Sequence, residues 1–258
     1  MKKFLLTAMT TIIAASLHAA IQTKTVEYKQ GGTTLEGVLV WDDAVQGQRP
    51  GVLVVHQWMG LTDYEKHRAE MLAQLGYVAF CADIYGKGVR PKDAAEAGAQ
   101  AGKYKGDRQL LRARVNAALT VLQTREFVDP KRIAAIGYCF GGTVVLEIAR
   151  GGADLKGVAS FHGGLSTPNP ADAKNIKGKV LVLHGADDTF ESPAEIAAFQ
   201  EEMRQGRVDW QMNYYGGAVH SFTNPDAGKA GIKGVAYNEA ADRRSWQAMR
   251  DFFDEIFR

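Results

Sequence analysis

The sequence predicts an α/β fold: a mostly parallel central sheet with an antiparallel amino-terminal hairpin and helices on both faces. Short apolar runs alternate with longer stretches of helical period along the chain, which is typical of parallel strands joined by helices. The 258 residues, 46% of them apolar, are enough for one full core. Because no internal repeat, low-complexity tract or linker divides them, residues 20–258 are predicted to form a single domain.

The elements are expected in the following order. An amino-terminal hairpin with strands at 25–28 and 34–41 surrounds the turn Gly31-Gly32. Six further strands are expected at 52–56, 77–82, 132–137, 157–161, 179–184 and 209–214. Helices are expected at 63–75, 107–122, 143–150, 193–205 and 239–257. The irregular, glycine-containing segment 85–106 is expected to be either a lid or loop-helix near a pocket or a plain exposed connector.

The first nineteen residues predict a bacterial export signal. Lys2 and Lys3 precede an apolar segment at 4–17, and the sequence Leu-His-Ala ending at Ala19 offers a cleavage site of the small-residue type. The segment is too short, and too rich in Thr and Ala, for a convincing membrane span. We therefore expect a periplasmic protein without a membrane segment after signal removal, with a non-cleaved anchor as the alternative.

Charge and cysteine usage restrict the partners. Loss of the two signal lysines from the 31 basic residues leaves 29, equal to the 29 acidic residues, so nucleic acid is not an expected partner. We expect a monomer that acts on a small molecule. Export favours disulfides, but Cys81 lies within a predicted strand and Cys139 at a turn, so their directions are expected to disagree. A native disulfide between them is the alternative.

A five-residue turn, Gly137-Tyr138-Cys139-Phe140-Gly141, joins a predicted strand to the helix that follows. A strand, a sharp turn and a helix in this order are the setting of a nucleophile elbow, which lifts its central side chain above the sheet. The flanking positions need very small residues because neighbouring backbone passes close by, and glycine satisfies that need. The motif favours Cys139 as a nucleophile, with a buried cysteine in an ordinary turn as the alternative.

An acid and a base follow the elbow in the order nucleophile, acid, histidine. The strand at 179–184 ends in a turn with two carboxylates, Asp187 and Asp188, and the strand at 209–214 is followed by a loop that carries His220. Singly, such an aspartate is often a turn former and such a histidine a bystander. All three candidates, however, follow strands at the edge where open α/β sheets place their sites. Together they predict a catalytic triad.

These motifs resemble those of the dienelactone hydrolase family of α/β-hydrolases. The resemblance runs from about Thr25 to the last helix. The segments that carry it lie at 54–61, 79–86, 137–142 (Gly-Tyr-Cys-Phe-Gly-Gly), 184–190 (His-Gly-Ala-Asp-Asp-Thr-Phe) and 218–225 (Ala-Val-His-Ser-Phe-Thr-Asn-Pro). It implies the α/β-hydrolase fold and the hydrolysis of a carboxylic ester or lactone without a cofactor.

The resemblance also implies a role for each candidate. Cys139 is expected to be the nucleophile, His220 the general base and then the acid, and Asp188 the carboxylate that orients His220. Asp188 is preferred to Asp187 because the family places the acid one residue before a small or polar position and two before an aromatic one, as positions 189 and 190 provide. Asp187 remains the alternative.

Two backbone N–H groups are expected to bind the developing oxyanion. The elbow itself places one at Phe140, directly after the nucleophile. The resemblance implies the second at Trp58, whose side chain is also expected to shape an apolar pocket, with a partly exposed surface aromatic as the alternative. Tyr85 is a further candidate for contact with the substrate.

Two positions depart from the family pattern. Dienelactone hydrolases carry a glutamate at the position of Gln57, where it couples substrate binding to thiolate formation, and an arginine for the substrate carboxylate at the position of Asn224. Gln57 can neither accept a proton nor repel a thiolate, and an arginine missing at 224 weakens an expectation of anionic lactones. Both residues are therefore candidates for gating or substrate binding, and dienelactone itself is not the expected substrate.

Three functions remain open from the sequence. The favoured one is a hydrolase that cleaves a small ester or lactone through a thioester, which water then attacks. The alternatives are a non-catalytic periplasmic binding protein on the same fold and an esterase for larger carbohydrate or peptidyl esters. Nucleotide, redox and metal chemistry are not expected, since phosphate-loop, Cys-x-x-Cys and metal-ligand spacings do not occur. His56, His162 and His184 are interpreted as pocket-wall or core histidines.

Overall fold

The structure is a computed structural model that describes residues 20–258; the predicted export signal at 1–19 lies outside the described residues. Eight strands are present: β1 (Ile21–Gln30), β2 (Thr33–Asp42), β3 (Arg49–Val55), β4 (Val78–Ala82), β5 (Val128–Tyr138), β6 (Gly157–Phe161), β7 (Lys179–Gly185) and β8 (Trp210–Tyr215). Six α-helices accompany them: α1 (Asp63–Gln74), α2 (Ala94–Gly106), α3 (Arg108–Gln123), α4 (Phe140–Arg150), α5 (Pro193–Gln205) and α6 (Glu239–Ile256). Short 3₁₀ helices lie at Pro170–Asn175 and Ala227–Ala230.

All eight strands belong to one sheet, in the order β1-β2-β4-β3-β5-β6-β7-β8. The β1–β2 hairpin is antiparallel and joins the sheet antiparallel to β4, whereas the pairs from β4 through β8 are parallel. The predicted fold class, including the antiparallel hairpin at the amino terminus, is confirmed. Since the carboxyl ends of the parallel strands share one edge, the loops after β3, β5, β7 and β8 meet there.

The sheet separates two apolar layers. Side chains alternate along β3, so Leu53 and Val55 join one cluster of buried residues while Val52 and Val54 join the other. The Leu53 side packs against α2, α3, α4 and α5, and the Val52 side packs against α1 and α6. The helices on both faces thus hold the carboxyl edge of the sheet in a fixed frame.

Most predicted elements have shifted ends, and one segment has more structure than a connector. The segment 85–106 contains α2, whose first turn is capped by Asp93, which accepts a hydrogen bond from the Glu96 N–H at 2.9 Å. The connector alternative is therefore wrong. The helix that follows the elbow begins at Phe140 rather than 143, because the residues directly after Cys139 already take helical geometry. No helix within residues 20–258 has the length and apolar character needed to cross a bilayer.

Candidate active site

Cys139 lies between β5 and α4 in a strained backbone conformation. Its φ is 54° and its ψ is −114°, a combination that side chains rarely adopt and that the surrounding backbone must enforce. A Cβ at Gly137 would lie 2.0 Å from the carbonyl oxygen of Gly141, and a Cβ at Gly141 would lie 2.2 Å from that of Val55. The elbow therefore requires glycine on both sides of the turn.

The structure brings the three predicted triad residues together. The Nε2 atom of His220 lies 3.1 Å from the Sγ atom of Cys139, and the Nδ1 atom lies 2.9 Å from Oδ2 of Asp188. The other carboxylate oxygen of Asp188 accepts a hydrogen bond from the Phe190 N–H at 2.9 Å. Asp187 is exposed, and its backbone N–H donates to the Ala218 carbonyl, so its carboxylate takes no part in this relay.

Charge is shared between the thiol and the imidazole. Burial opposes ionisation of Cys139, but His220, Lys105 and the Phe140 N–H outweigh it and lower the pKa of the thiol. Burial likewise opposes a charge on His220, yet the thiolate and the Asp188 carboxylate raise the pKa of His220 to about 10. The two directions agree: the arrangement favours a thiolate beside an imidazolium.

Trp58 and Phe140, the two predicted oxyanion donors, both line the cavity that contains Cys139. Phe140 is the first residue of α4, where backbone N–H groups have no partner within the helix. The carbonyl of Gln57 accepts from the buried His56 Nδ1 at 2.6 Å and from the Gly60 N–H at 3.2 Å. Because the following peptide is trans, the N–H of Trp58 points away from His56, and Trp58 lines the cavity in front of the thiol.

A buried carboxylate holds the loop that carries Trp58. Glu65 accepts hydrogen bonds from the Gln57 N–H at 3.1 Å and from the Thr62 N–H and hydroxyl at 2.9 and 2.7 Å. It therefore caps α1 and fixes the loop at the same time. The Gln57 side chain lines the cavity beside the thiol, as does that of Asn224, so both predicted departures from the family pattern face the site.

Tyr85 lies in a different place from the predicted one. It is 4% exposed, does not line the cavity, and its hydroxyl donates to the Trp58 carbonyl at 2.9 Å. Its ring packs between those of Tyr104 and Phe140. The expected contact of Tyr85 with the substrate is therefore not supported. Tyr85 instead supports the Trp58 loop, because the end of the strand places its ring under that loop rather than in the opening of the cavity.

A cavity of about 640 Å³ opens in front of Cys139. Apolar side chains form most of its wall, and a few polar groups are set among them. The residues that line it include Gln57, Trp58, Met59, Ala101, Lys105, Cys139, Phe140, Phe190, His220, Asn224, Ile232 and Val235. A mostly apolar cleft of this size with a few convergent polar groups is typical of a small-molecule site.

Sequence-based reasoning did not identify Lys105 and Phe190 as residues of the site, and it did not predict the contact of His162 with Cys139. Lys105 extends from α2, which lies in the segment predicted as either a lid or loop-helix or a connector, and lines the cavity. Phe190 packs its ring 4.8 Å from that of His220 while remaining half exposed. His162, interpreted as a pocket-wall or core histidine, accepts a hydrogen bond from the Cys139 N–H at 3.1 Å. Its position after the predicted strand at 157–161 was the signal available.

Both cysteines are free. Cys81 is fully buried within β4, where its thiol donates to the Glu65 carbonyl at 3.3 Å, while Cys139 is partly exposed at the cavity. Burial raises the pKa of Cys81. The two thiols therefore differ in both accessibility and acidity, and the disulfide alternative is not realised. Within residues 20–258, no group of His, Cys, Asp and Glu side chains is arranged to hold a metal ion.

Comparison with known proteins places these features in context. The model of the dienelactone hydrolase family matches residues 35–257. A putative carboxymethylenebutenolidase of Synechocystis sp. is 27% identical over 251 residues, which are 90% of this chain and 96% of that protein. A probable 2-oxo-3-(5-oxofuran-2-ylidene)propanoate lactonase of Bradyrhizobium sp. is 28% identical over 215 residues, 79% of this chain and 86% of that one.

The solved structures include a nearer relative. The dienelactone hydrolase-like promiscuous phosphotriesterase P91, from metagenomic libraries, is 44% identical and superposes with a TM-score of 0.89. The match covers 93% of this chain and 100% of that chain.

Proposed function

Because this chain belongs to the dienelactone hydrolase family and is a carboxylic-ester hydrolase, we propose that it cleaves small esters or lactones through a thioester on Cys139. His220 and Asp188 complete the proposed triad. The observation that carries this proposal is the continuous relay from thiol to imidazole to carboxylate, with spacings of 3.1 and 2.9 Å. Family membership disfavours the alternative of a non-catalytic binding protein.

In the first half of the reaction, the Cys139 thiolate attacks the ester carbonyl carbon and a carbon–sulfur bond forms. The carbonyl electron pair moves to oxygen, where the N–H groups of Trp58 and Phe140 stabilise the negative charge. When the tetrahedral intermediate collapses, the carbon–oxygen bond to the alcohol breaks. The His220 imidazolium donates its proton to that oxygen, which leaves a neutral imidazole and an acyl-enzyme.

In the second half, water replaces the alcohol. Neutral His220 takes a proton from the water as its oxygen attacks the thioester carbonyl. Collapse of this intermediate breaks the carbon–sulfur bond, releases the carboxylic acid and restores the thiolate beside the imidazolium. Asp188 keeps the ring in the tautomer that presents Nε2 to the sulfur and stabilises its charge in both halves.

The cavity supports a substrate with an apolar body. Trp58, Met59, Phe190, Ile232 and Val235 give its wall an apolar character. Asn224 offers no charge to a substrate carboxylate, whereas Lys105 brings a positive charge to the wall. A volume of about 640 Å³ leaves room beyond the smallest acyl groups, so larger esters remain a second substrate class within the same mechanism.

A phosphotriester is a second candidate substrate. The observation in its favour is the 44% identity to the promiscuous phosphotriesterase P91 over 93% of this chain. A neutral phosphotriester presents a polar P=O bond in an apolar body, which matches two N–H donors at the base of an apolar cleft. We propose it as a secondary activity of the same site.

We also propose that the protein is exported by residues 1–19 and acts in the periplasm as a monomer. The support for export is the sequence pattern of that segment, with two lysines, an apolar stretch and a small-residue cleavage site.

Turnover of 4-nitrophenyl acetate, of a panel of lactones and of a neutral 4-nitrophenyl phosphotriester tests the proposal. Cys139→Ala should abolish hydrolysis of all three. Rapid quenching of the native enzyme with the acetate ester should leave one acetyl group on the peptide that contains Cys139, as determined by mass spectrometry. Turnover that survives Cys139→Ala, or an acyl group found on another residue, would overturn the mechanism.

A further inference from the structure

The second histidine near the nucleophile has no part in the triad. His162 follows β6 at the carboxyl edge of the sheet and is 1% exposed. The backbone N–H of Cys139 donates both to its Nδ1 atom at 3.1 Å and to the Phe161 carbonyl at 3.0 Å. The ring of His162 also packs against that of His220, with centroids 5.4 Å apart. One buried imidazole thus contacts both the backbone of the nucleophile and the ring of the base.

The hydrogen bonds fix the tautomer of this ring. A backbone N–H can only donate, so Nδ1 of His162 carries no proton, and the neutral ring is protonated at Nε2. Nε2 lies 2.8 Å from the hydroxyl oxygen of Thr223, which therefore accepts this proton. The Thr223 hydroxyl in turn lies 2.6 Å from that of Tyr64, and Arg68 donates to the Tyr64 oxygen. The tautomer is set from the side opposite to Cys139.

Two of the four described non-glycine residues with a positive φ meet at this contact. Cys139 and His162 both have a positive φ, 54° and 40°, and such residues persist only where their surroundings enforce them. The hydrogen bond between them joins one strained residue to the other. The contact therefore contributes to holding Cys139 in the geometry that brings Sγ to 3.1 Å from His220.

The surroundings of His162 keep the ring neutral. Burial and the charge on His220 lower its pKa, and Arg68 and His184 act in the same direction. A second proton at Nδ1 would also oppose the Cys139 N–H directly. The groups that face the ring from the neighbouring elements are Arg68 of α1, Tyr138 and Cys139 at the elbow, His184 of β7, and His220, Phe222 and Thr223 of the loop after β8.

We propose that His162 is a positioning residue: as a neutral imidazole, it holds the Cys139 backbone and the His220 ring in the geometry that stabilises the thiolate–imidazolium pair. This inference rests on the proposed function of Cys139 and His220. Thr223 contributes to this positioning, because it fixes the tautomer of His162. The reaction needs His162 to accept a hydrogen bond but never to carry a second proton.

Two substitutions of His162 test the proposal: one keeps an acceptor at the place of Nδ1 and the other does not. The side-chain oxygen of Asn can occupy the place of Nδ1 and accept from the Cys139 N–H, and Asn tolerates a positive φ. His162→Leu removes the imidazole acceptor and leaves the Cys139 N–H with the Phe161 carbonyl alone. The readout is the rate of Cys139 alkylation by iodoacetamide as a function of pH, with melting temperature measured in parallel.

His162→Leu should move the alkylation midpoint upward by roughly one pH unit, since one lost hydrogen bond changes an equilibrium roughly tenfold. His162→Asn should restore most of the shift. His184→Leu is the matched control: it removes another buried imidazole at the same edge whose Nδ1 has no partner among the described residues, and it should leave the midpoint in place. A lower melting temperature with an unchanged midpoint in His162→Leu would overturn the proposal.

Thr223→Val tests the same role through the opposite nitrogen of the His162 ring. It keeps the proposal testable if His162→Leu does not fold. Without the hydroxyl, the Nε2 proton loses its acceptor, so the tautomer that is protonated at Nε2 is less favoured. A proton at Nδ1 would oppose the Cys139 N–H. The midpoint should rise as in His162→Leu, whereas Tyr64→Phe, which leaves the Thr223 oxygen in place, should not move it. No shift in Thr223→Val would overturn the role of the tautomer.

These outcomes are separable from those of the proposed function. If Cys139 of the native enzyme is alkylated only in the pH range of an ordinary thiol, the proposed thiolate–imidazolium pair is wrong. If the midpoint of the alkylation profile is low in the native enzyme and remains low in His162→Leu and Thr223→Val, the thiolate–imidazolium pair is supported. The positioning role of His162 is then wrong.

Discussion

At the level of single residues, Cys139 and His220 change the acidity of each other. The directions of the two pKa shifts determine the order in which His220 acts as an acid and as a base. The thiol loses its proton more easily than usual and the imidazole holds one more tightly. A pair of this kind is already charged before substrate binds. In the proposed mechanism, His220 therefore acts first as an acid toward the alcohol and only then as a base toward water.

Alkylation measures this acidity directly. Iodoacetamide reacts with the thiolate, so a lowered pKa should extend the reaction of Cys139 below the range of an ordinary thiol, whose pKa is about 8.5. His220→Ala should move the profile upward, because only Lys105 and the Phe140 N–H then oppose the effect of burial on the pKa of the thiol. Mass spectrometry should locate the label at Cys139 and leave the buried Cys81 unmodified. A native profile that coincides with free cysteine would contradict this expectation.

The two adjacent aspartates provide a matched pair. Asp188→Asn should reduce kcat/KM for 4-nitrophenyl acetate by about 10²–10⁴-fold, because an amide no longer stabilises the imidazolium or fixes the tautomer of His220. Asp187→Asn changes an exposed carboxylate outside the relay and should remain near the native value. If the loss appeared in Asp187→Asn instead, the assignment of the acid would be wrong.

A carboxylate introduced at position 57 should act on the thiol by repulsion. The Gln57 side chain lines the cavity beside Cys139, so Gln57→Glu should raise the pKa of the thiol and shift the alkylation profile to higher pH. Gln48→Glu makes the same change of charge at an exposed position before β3, at the opposite edge of the sheet. An unchanged profile in Gln57→Glu would remove residue 57 from the control of the thiol.

At the level of elements, the sequence predicted where strands and helices lie better than what they hold. The Thr62 to Glu65 spacing marks a capping box, a local pattern that begins α1. The Glu65 carboxylate also holds the Gln57 N–H in the loop between β3 and α1, a contact for which the sequence has no local signature. In the same way, α2 lacked a clear apolar stripe, because only Ala97, Ala101 and Tyr104 of it are buried.

A buried ion network joins α4 to α5. The fully buried guanidinium of Arg150 donates to Glu147 at 3.0 Å and to both oxygens of Glu202 at 2.7 and 2.8 Å, and it also binds the Leu165 carbonyl. Such a network is satisfied only when every member is present, since an unpaired buried charge is costly. The helix that follows the nucleophile is thereby anchored at its far end.

Arg150→Met should therefore lower the free energy of unfolding by about 3–5 kcal/mol, as it leaves the Glu202 carboxylate without its buried partner. Urea denaturation followed by circular dichroism measures the change. Arg204→Ala disrupts the exposed pair with Glu201 and should cost no more than about 1 kcal/mol. Equal effects of the two substitutions would show that burial of the network contributes nothing.

At the level of the whole molecule, a parallel sheet converts order along the chain into proximity in space. The elbow and the acid and histidine loops lie after β5, β7 and β8, and the sequence was sufficient to predict that they share an edge. It was not sufficient to predict that Tyr85 lies beneath the Trp58 loop or that His162 contacts Cys139. Both depend on side-chain directions that only tertiary packing determines.

The proposed export has a structural counterpart at the start of the domain. The Asp43 N–H donates to the Ala20 carbonyl, and β1 begins at Ile21, so cleavage after Ala19 would leave the pairing of the first strand intact. Full-length protein expressed in a Gram-negative host should appear in the periplasmic fraction with Ala20 as its first residue. Residues 20–258 expressed alone serve as the cytoplasmic control. An uncleaved protein in the membrane fraction would instead support the anchor alternative.

The glycines beside the nucleophile have a consequence for engineering. At positions 137 and 141 a single methyl group would meet a backbone oxygen at little more than 2 Å, so neither codon tolerates variation. The walls formed by Trp58, Lys105 and Phe190 carry no such restriction. A mutant library that seeks new substrates should therefore keep the turn invariant and randomise only the rim.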